Sequence, residues 1–480
     1  FGSSAHVGST SYFIWCTFFS LVFCVFPSIL TVAEMGADGM LAVHSAEAFP
    51  PLSASVPDEL YACSRFKRHT TCRRTAVACR RGARGGGRQL QQQRDYGWEH
   101  PEGEKAEKVS IETGLKVMAD DMDSPTTQES GCRALLEIAQ HGPAHQQEVV
   151  SMGGIDALVK AMHAHPMQHG VQIAAAGALE RLCSGNADHV VRLLQVDGVA
   201  VLIKAMTAFV DRQSLQEVGC KMLRNIAACS GDCQVKVAAL GGIQATLRAM
   251  AAHPSSATVQ ELGCRALREM AAYSASNQDD IVACGGIQRV LHAMEVHCKL
   301  SSIQVLGCGV LRNLTACNAD FQDAVVSRGG VQVVLDAMAN HADSADVQRA
   351  GCWALFCTCV HNAEAQKIVE AYGAVKATLE AMEQHREEAR VQEAGCWVVK
   401  ELAKLIVTKQ SRTTFVTSTQ AVLKAMDKHS AIAAVQTAAG GALRSLASHD
   451  SSGWVQTACL GRCGRFGRST TKRILSVIKE

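Results

Sequence analysis

The sequence is short of the residues that break chains or cross-link them. Only 9 of its 480 residues are proline and 5% are aromatic, while 48% are hydrophobic. That balance excludes a proline-rich extended protein and predicts a sizeable core packed from Ala, Leu, Val and Met. Glycine is the commoner breaker, with 39 copies, so helices closed by glycine are expected rather than a loop-rich β fold. Net charge is scarce as well, at +2. Both ends are basic and the central body is mildly acidic. The 21 cysteines are spread too thinly for a small disulfide scaffold, which points to reduced thiols in a cytosol-like compartment.

Missing too are the motifs of the common catalytic sites: the sequence holds no GxxxxGKS/T, HExxH, GxSxG or kinase set. GARGGGR at 82–88 follows no strand and opens no helix, and reads as linker. No enzymatic role, catalytic residue, small-molecule substrate, metal or cofactor is therefore expected.

Four regions follow from composition. Residues 1–34 form a hydrophobic segment whose core, Tyr12–Ala33, carries no charge and meets the length of about 20 residues needed to cross a bilayer. It lacks a basic region before it, and no methionine precedes Met35, so signal, anchor and translated leader stay open. Membrane association is expected only if residues 12–33 are a true anchor. Residues 35–102 are a basic linker rich in Gly, Arg and Gln. Within it, Arg65–Arg94 holds ten Arg or Lys and no acidic residue, a composition that stays solvated and unfolded. With Phe66 as its one aromatic residue, a linker is favoured over nucleic-acid binding. Residues 103–450 are a repeat domain, and 451–480 a degenerate cap and basic tail. Localisation is expected to be cytoplasmic, with the nucleus second and membrane or secretory routing less favoured.

The repeat has a fixed period of 44 residues. The glycine of VQxxG falls at Gly131, Gly219, Gly263, Gly307, Gly351 and Gly395, with Ala175 and Ala439 completing the column. A methionine ends xxxLxAM at Met118, Met162, Met206, Met250, Met294, Met338, Met382 and Met426. Inside a unit, Ile287, Val290, Leu291 and Met294 stand at i, i+3, i+4 and i+7, one face of a helix opening after Gly285-Gly286. A longer helix carries Val259, Leu262, Gly263, Ala266, Leu267 and Met270 on one face. With the short segment NQDDIVAC before the double glycine, each unit becomes a short helix, a glycine break, a medium helix, a loop and a long helix.

A three-helix unit with Gly-Gly-Ile between its first helices and ALRNLA-like text in its third resembles the armadillo repeat. The resemblance covers residues 103 to 450 in eight copies. It implies an all-α, right-handed α-solenoid of stacked units, with two-helix HEAT repeats ranked second. Val109-Ser110 and Thr417-Ser418 replace the double glycine in the first and last copies, which are expected to be caps. VQTACLG at 455–461 is expected to open a ninth unit.

Two columns invite a chemical reading. Cys132, Cys220, Cys264, Cys308, Cys352 and Cys396 recur after the VQxxG glycine. Stacked helices hold such residues about 10 Å apart, too far for a shared zinc or a disulfide, so they are read as packing residues. His165, His253, His297, His341, His385 and His429 recur three residues after the methionine. They are read as caps on the free carbonyls of their own helices.

Function is expected on the outer face of the long helix. One column there runs Leu136, Glu180, Arg224, Arg268, Arg312, Phe356, Lys400, Arg444, a basic ladder at its middle. Lys221 and Arg265 follow Glu217 and Glu261 by four residues and are expected to pair with them. Arg224, Arg268 and Arg312 have no acidic residue at i±3 or i±4 and are expected to be free for an outside carboxylate or phosphate. In armadillo proteins the third helix lines a groove that holds extended peptides. The resemblance therefore implies a peptide-binding groove of Arg224, Asn225, Arg265, Arg268, Arg312, Asn313, Trp353 and Trp397.

Importin alpha sets Trp and Asn four residues apart on this helix. Here Trp353 and Trp397 face Cys357 and Glu401, while Asn225 and Asn313 face Lys221 and Gly309, so no copy holds both. The ladder is closer to that of beta-catenin. The expected function is a non-catalytic scaffold binding acidic or phosphorylated segments of other proteins. A nuclear-transport-type adaptor for basic peptides and a regulatory region of a larger enzyme are the alternatives.

Overall fold

A computed structural model of the chain describes residues 104–455, apart from residues 317 and 409–411. The hydrophobic run at 12–33, the basic stretch at 65–94 and the ninth unit beyond Val455 lie outside the described residues. Among those described, every regular element is a helix, twenty-two in all. The first unit holds α1 (Glu104–Asp120) and α2 (Pro125–Gln140); the second α3 (Pro143–Ser151), α4 (Gly154–Ala164) and α5 (His169–Cys183); the third α6 (Ala187–Gln195), α7 (Gly198–Ala208) and α8 (Gln213–Ala227). Units four and five are α9 (Gly231–Ala239), α10 (Gly242–Ala252), α11 (Ala257–Ala271) and α12 (Ala275–Ala283), α13 (Gly286–Val296), α14 (Ser301–Thr315). Units six and seven are α15 (Ala319–Ser327), α16 (Gly330–Asn340), α17 (Ala345–Cys359) and α18 (Ala363–Ala371), α19 (Ala374–Gln384), α20 (Ala389–Thr408). The eighth is α21 (Arg412–Lys428) and α22 (Ala433–His449).

The glycine break works as the spacing predicts. Gly241 takes a left-handed φ of 92° between α9 and α10, a conformation glycine adopts without steric cost. Its neighbour Gly242 serves a different need: a methyl there would stand 2.6 Å from Cγ1 of Val237 and 2.8 Å from its carbonyl oxygen. Where the glycines are absent, so is the break. The first and last units run their first two helices together as the single 17-residue helices α1 and α21.

The long helices pack in chain order, α2 on α5, α5 on α8 and so on to α22, so each buries its apolar stripe against its neighbours. All eight column methionines are buried. They explain the VQxxG glycine: a methyl on Gly263 would lie 2.5 Å from Cγ of Met250, and the other five glycines of the column meet their own methionine in the same way. The medium helix thus lays a thioether across a bare stretch of the long one. The cysteine column is buried throughout, and burial pushes the thiols of Cys132, Cys220, Cys264, Cys308 and Cys352 up to about 12. Those thiols stay protonated and pack as small hydrophobes.

The histidine column departs from expectation. Each imidazole Nε2 donates to a loop carbonyl 43 residues earlier, in the preceding unit, as His297 does to Pro254 at 2.9 Å and His253 to Val210 at 2.7 Å. His165, His341, His385 and His429 do the same. Capping falls instead to the glutamine of VQxxG. Gln260 Nε2 donates to the carbonyls of Met250 and His253, both at 2.8 Å, and all eight units repeat this fork onto the end of the medium helix. Helix ends leave such carbonyls without partners. A buried amide with two donors satisfies a pair of them.

Candidate functional site: the face of the long helices

The long helices present a continuous row of side chains because they stack directly and in register. At five of the seven junctions a simple rule relates neighbours: the ladder residue of one unit meets the residue three positions before the ladder position on the next. Glu180 contacts Lys221 at 3.1 Å, and the rings of Phe356 and Trp397 stand 5.7 Å apart. Where the second position is glycine, the first side chain lies over it. A methyl on Gly177, Gly309 or Gly441 would be 3.3, 3.1 or 3.3 Å from the side chain of Leu136, Arg268 or Lys400 respectively.

That register corrects two pairings. Lys221 reaches across to Glu180 rather than to Glu217, which accepts from Gln213 instead. Glu180 is nearly buried and also accepts from Asn225 Nδ2 at 3.3 Å, so a carboxylate that would be costly alone has two donors. Arg268, expected to be free, pairs with Glu269 at 2.7 Å. Adjacent residues do not face one another on a helix, but these long side chains bend together over the surface. Arg265 pairs with Glu261 at 2.7 Å as expected, and Ser302 of the next unit donates to the same carboxylate.

The remaining cations differ. Arg224 donates to Asn225 Oδ1 at 2.9 Å, and its Nε is buried without a partner. Arg312 and Arg444 have no hydrogen-bond or ion-pair partner among the described residues. Lys400 rests its ammonium over the Trp397 ring, 4.4 Å from the centroid, a favourable cation–π placement. Burial holds that ammonium below its ordinary value; Glu401 pulls it back up, and Arg444 pushes in the same direction as burial. Asn313 is taken up by the carbonyl of Arg268 at 3.1 Å.

Trp353 and Trp397 are half-buried and joined through Phe356, each ring 5.7 Å from it. The result is an aromatic patch on the face, neither a core residue nor a detached ring. Beside it Glu393 is half-buried, and burial raises its carboxyl above the usual range against the pull of Arg390 and Arg349. Glu261 has an arginine four residues on, whereas Glu393 has Trp397 in that place.

Gly309, Gly441, Lys400 and Arg444 were not among the predicted site residues. A signal for them exists in the sequence, a second period of three units. ESGCRALLEIA at 129–139 returns as ELGCRALREMA at 261–271 and EAGCWVVKELA at 393–403, and Gly177, Gly309 and Gly441 follow the same 132-residue step.

A family model described as LRRK2 ARM repeat matches residues 284–456. Among solved structures, a chain from "A conserved phosphorylation switch controls the interaction between cadherin and beta-catenin in vitro and in vivo" superposes with a TM-score of 0.63. It is 18% identical, over 77% of this chain and 74% of that one. An engineered protein superposes with a TM-score of 0.57 at 21% identity, over 77% of this chain and 99% of its own. No curated protein sequence gives a significant match. The fold is an α-solenoid of the armadillo kind, and residues 284–456 resemble the armadillo repeats of that family model. No helix among the described residues is long and apolar enough to cross a membrane.

Proposed function

We propose that this protein is a scaffold without a reaction of its own, holding extended acidic or phosphorylated segments of other proteins along the face of its long helices. The observation that carries the reading is the set of cations on that face with no carboxylate partner, Arg312 and Arg444 foremost, with Lys400 held between a ring and a glycine. An unpaired guanidinium offers a planar fork to a carboxylate or phosphate. Arg224, Asn225, Arg265, Arg268 and Asn313 supply the polar stretch of the groove, and Trp353 and Trp397 an apolar anchor point. Among the printed names of its structural neighbours, the interaction of cadherin with beta-catenin fits the same kind of partner. A cytoplasmic or nuclear protein partner suits this reading.

The alternative of a transport-type adaptor for basic peptides is disfavoured by the surroundings of the aromatic residues. Cys357 is buried, and Glu401 already accepts from the His361 N–H at 2.9 Å and from Gln366 at 2.8 Å. A paired experiment tests the proposal. Partners captured from lysate by the wild type are compared with those of a variant carrying Arg224→Glu, Arg268→Glu and Arg312→Glu, each with and without prior phosphatase treatment. Loss of the same partners in the variant supports the groove. An unchanged set in the variant overturns it.

A further inference from the structure

A cavity of about 430 Å³ opens among the short and medium helices, where units three, four and five meet. Ile203 of α7, Leu240 at the end of α9, Gln244, Ala245 and Arg248 of α10, and Asp280 of α12 contribute to its wall. No lining residue belongs to a long helix, so the cavity is separate from the groove and does not depend on it. Its size falls within the roughly 300–1,000 Å³ of small-molecule sites, and like them it combines a largely apolar wall with a few polar groups.

Those polar groups have bonding capacity to spare. Arg248 and Asp280 are exposed, and neither has a hydrogen-bond or ion-pair partner among the described residues. Gln244 is loosely tied: its Nε2 reaches the Cys284 sulfur at 3.7 Å, and its Oε1 is buried beside Gly241 without a partner. An amide held so weakly gains by turning its oxygen toward a donor in the cavity. Two units earlier the same place is closed, because Asp156 and Arg192 stand in the columns of Gln244 and Asp280 and bond to each other at 3.1 Å. The neighbouring junctions lack the opposed charges: the columns of Arg248 and Asp280 hold Lys204 with Lys236 before this junction, and His292 with Ala324 after it.

We propose that this cavity binds a small zwitterion of the amino-acid class with an apolar side chain. Its carboxylate meets the Arg248 guanidinium, a planar fork suited to that group. Its ammonium meets the Asp280 carboxylate and the turned Gln244 oxygen, and its side chain lies on Ile203, Leu240 and Ala245. A simple anion gains from Arg248 but is repelled by Asp280, and a simple cation meets the reverse. A ligand carrying both charges uses both groups, and the aliphatic wall favours one that also has an apolar part.

The test titrates the full chain calorimetrically with L-leucine, with N-acetyl-leucine, which lacks the cation, with leucinamide, which lacks the anion, and with glycine, which lacks the side chain. Leucine is expected to bind at least about tenfold tighter than any of the other three. Arg248→Gln is expected to weaken leucine by a similar factor without weakening leucinamide, and Asp280→Asn to weaken leucine without weakening N-acetyl-leucine, with urea midpoints confirming that both variants fold. Location is read separately: Cys229 and Cys284 are both exposed, and leucine is expected to slow alkylation of Cys284 by N-ethylmaleimide while leaving Cys229 unchanged. Absence of leucine binding, equal binding of the blocked forms, or variants that bind leucine as the wild type does overturn the proposal. So does binding that leaves Cys284 alkylation unchanged. None of these outcomes bears on the groove, whose cations lie on the long helices.

Discussion

The corner between the medium and long helices and the outer face of the long helices are built on opposite plans. At the corner, the glutamine fork and the buried methionine recur in all eight units, and the glycine beneath the methionine in six. On the face, a single column passes from leucine through glutamate and arginine to phenylalanine and lysine. The corner satisfies demands that every unit shares, free carbonyls and a thioether needing space, and in six units it also makes a bond to the unit before. Nothing in the stack asks the face to repeat every 44 residues; the arginine ladder and the tryptophan pair last only two or three units, and Gly177, Gly309 and Gly441 return every third unit. Uniform residues hold the stack together; under the proposed function, the varied ones distinguish partners.

Substitutions at the corner test the first half of that contrast. Gly263→Val drives a branched side chain into Met250 and is expected to cost about 3 kcal/mol, read as a lowered urea midpoint. Gly263→Ala is expected to cost about half as much, since Ala175 and Ala439 occupy the column in two units; equal midpoints for both variants would remove the interlock. Gln260→Leu strands the carbonyls of Met250 and His253 and is expected to cost about 2 kcal/mol, with faster amide exchange at the end of α10. His297→Ala loses one bond between units, about 1 kcal/mol, and its effect should appear at the contact of units four and five.

A smaller test lies on the face. The Glu393 carboxyl is raised by burial, so its ionised form is disfavoured in the fold. Folding is penalised at pH above that raised value, and the penalty fades as pH falls and the group protonates in both states. Glu393→Gln should therefore stabilise at neutral pH by under about 1 kcal/mol, with the gain vanishing toward acid pH. A gain that persists unchanged in acid would assign it to something other than the charge.

The period, the glycine break and the methionine column were legible because they depend on contacts within one unit, where sequence spacing maps onto a helical face. Fused helices at both ends follow from the same logic, since Val109-Ser110 and Thr417-Ser418 supply no left-handed residue. What escaped depends on the neighbouring unit. His297 finds its acceptor 43 residues back and Lys221 its carboxylate 41 residues back, pairings fixed only by the register of stacked helices. The glutamine was visible as part of VQxxG, but its partners are backbone carbonyls, which no side-chain pattern displays. Arg268 departs from expectation for another reason: its partner Glu269 is the residue beside it, not one a helical turn away.

The central claim, that the face binds anionic segments independently of the stack, meets its most direct test in a single titration. A labelled peptide of alternating Glu and Ser is titrated at low and high salt against the wild type and the Arg224→Glu, Arg268→Glu, Arg312→Glu variant, alongside their urea midpoints. The account predicts binding that weakens with salt, a loss of at least about tenfold in the variant, and midpoints within about 1 kcal/mol of each other. Equal affinity in the variant, or tighter binding of a Lys/Arg peptide to the wild type, would contradict it.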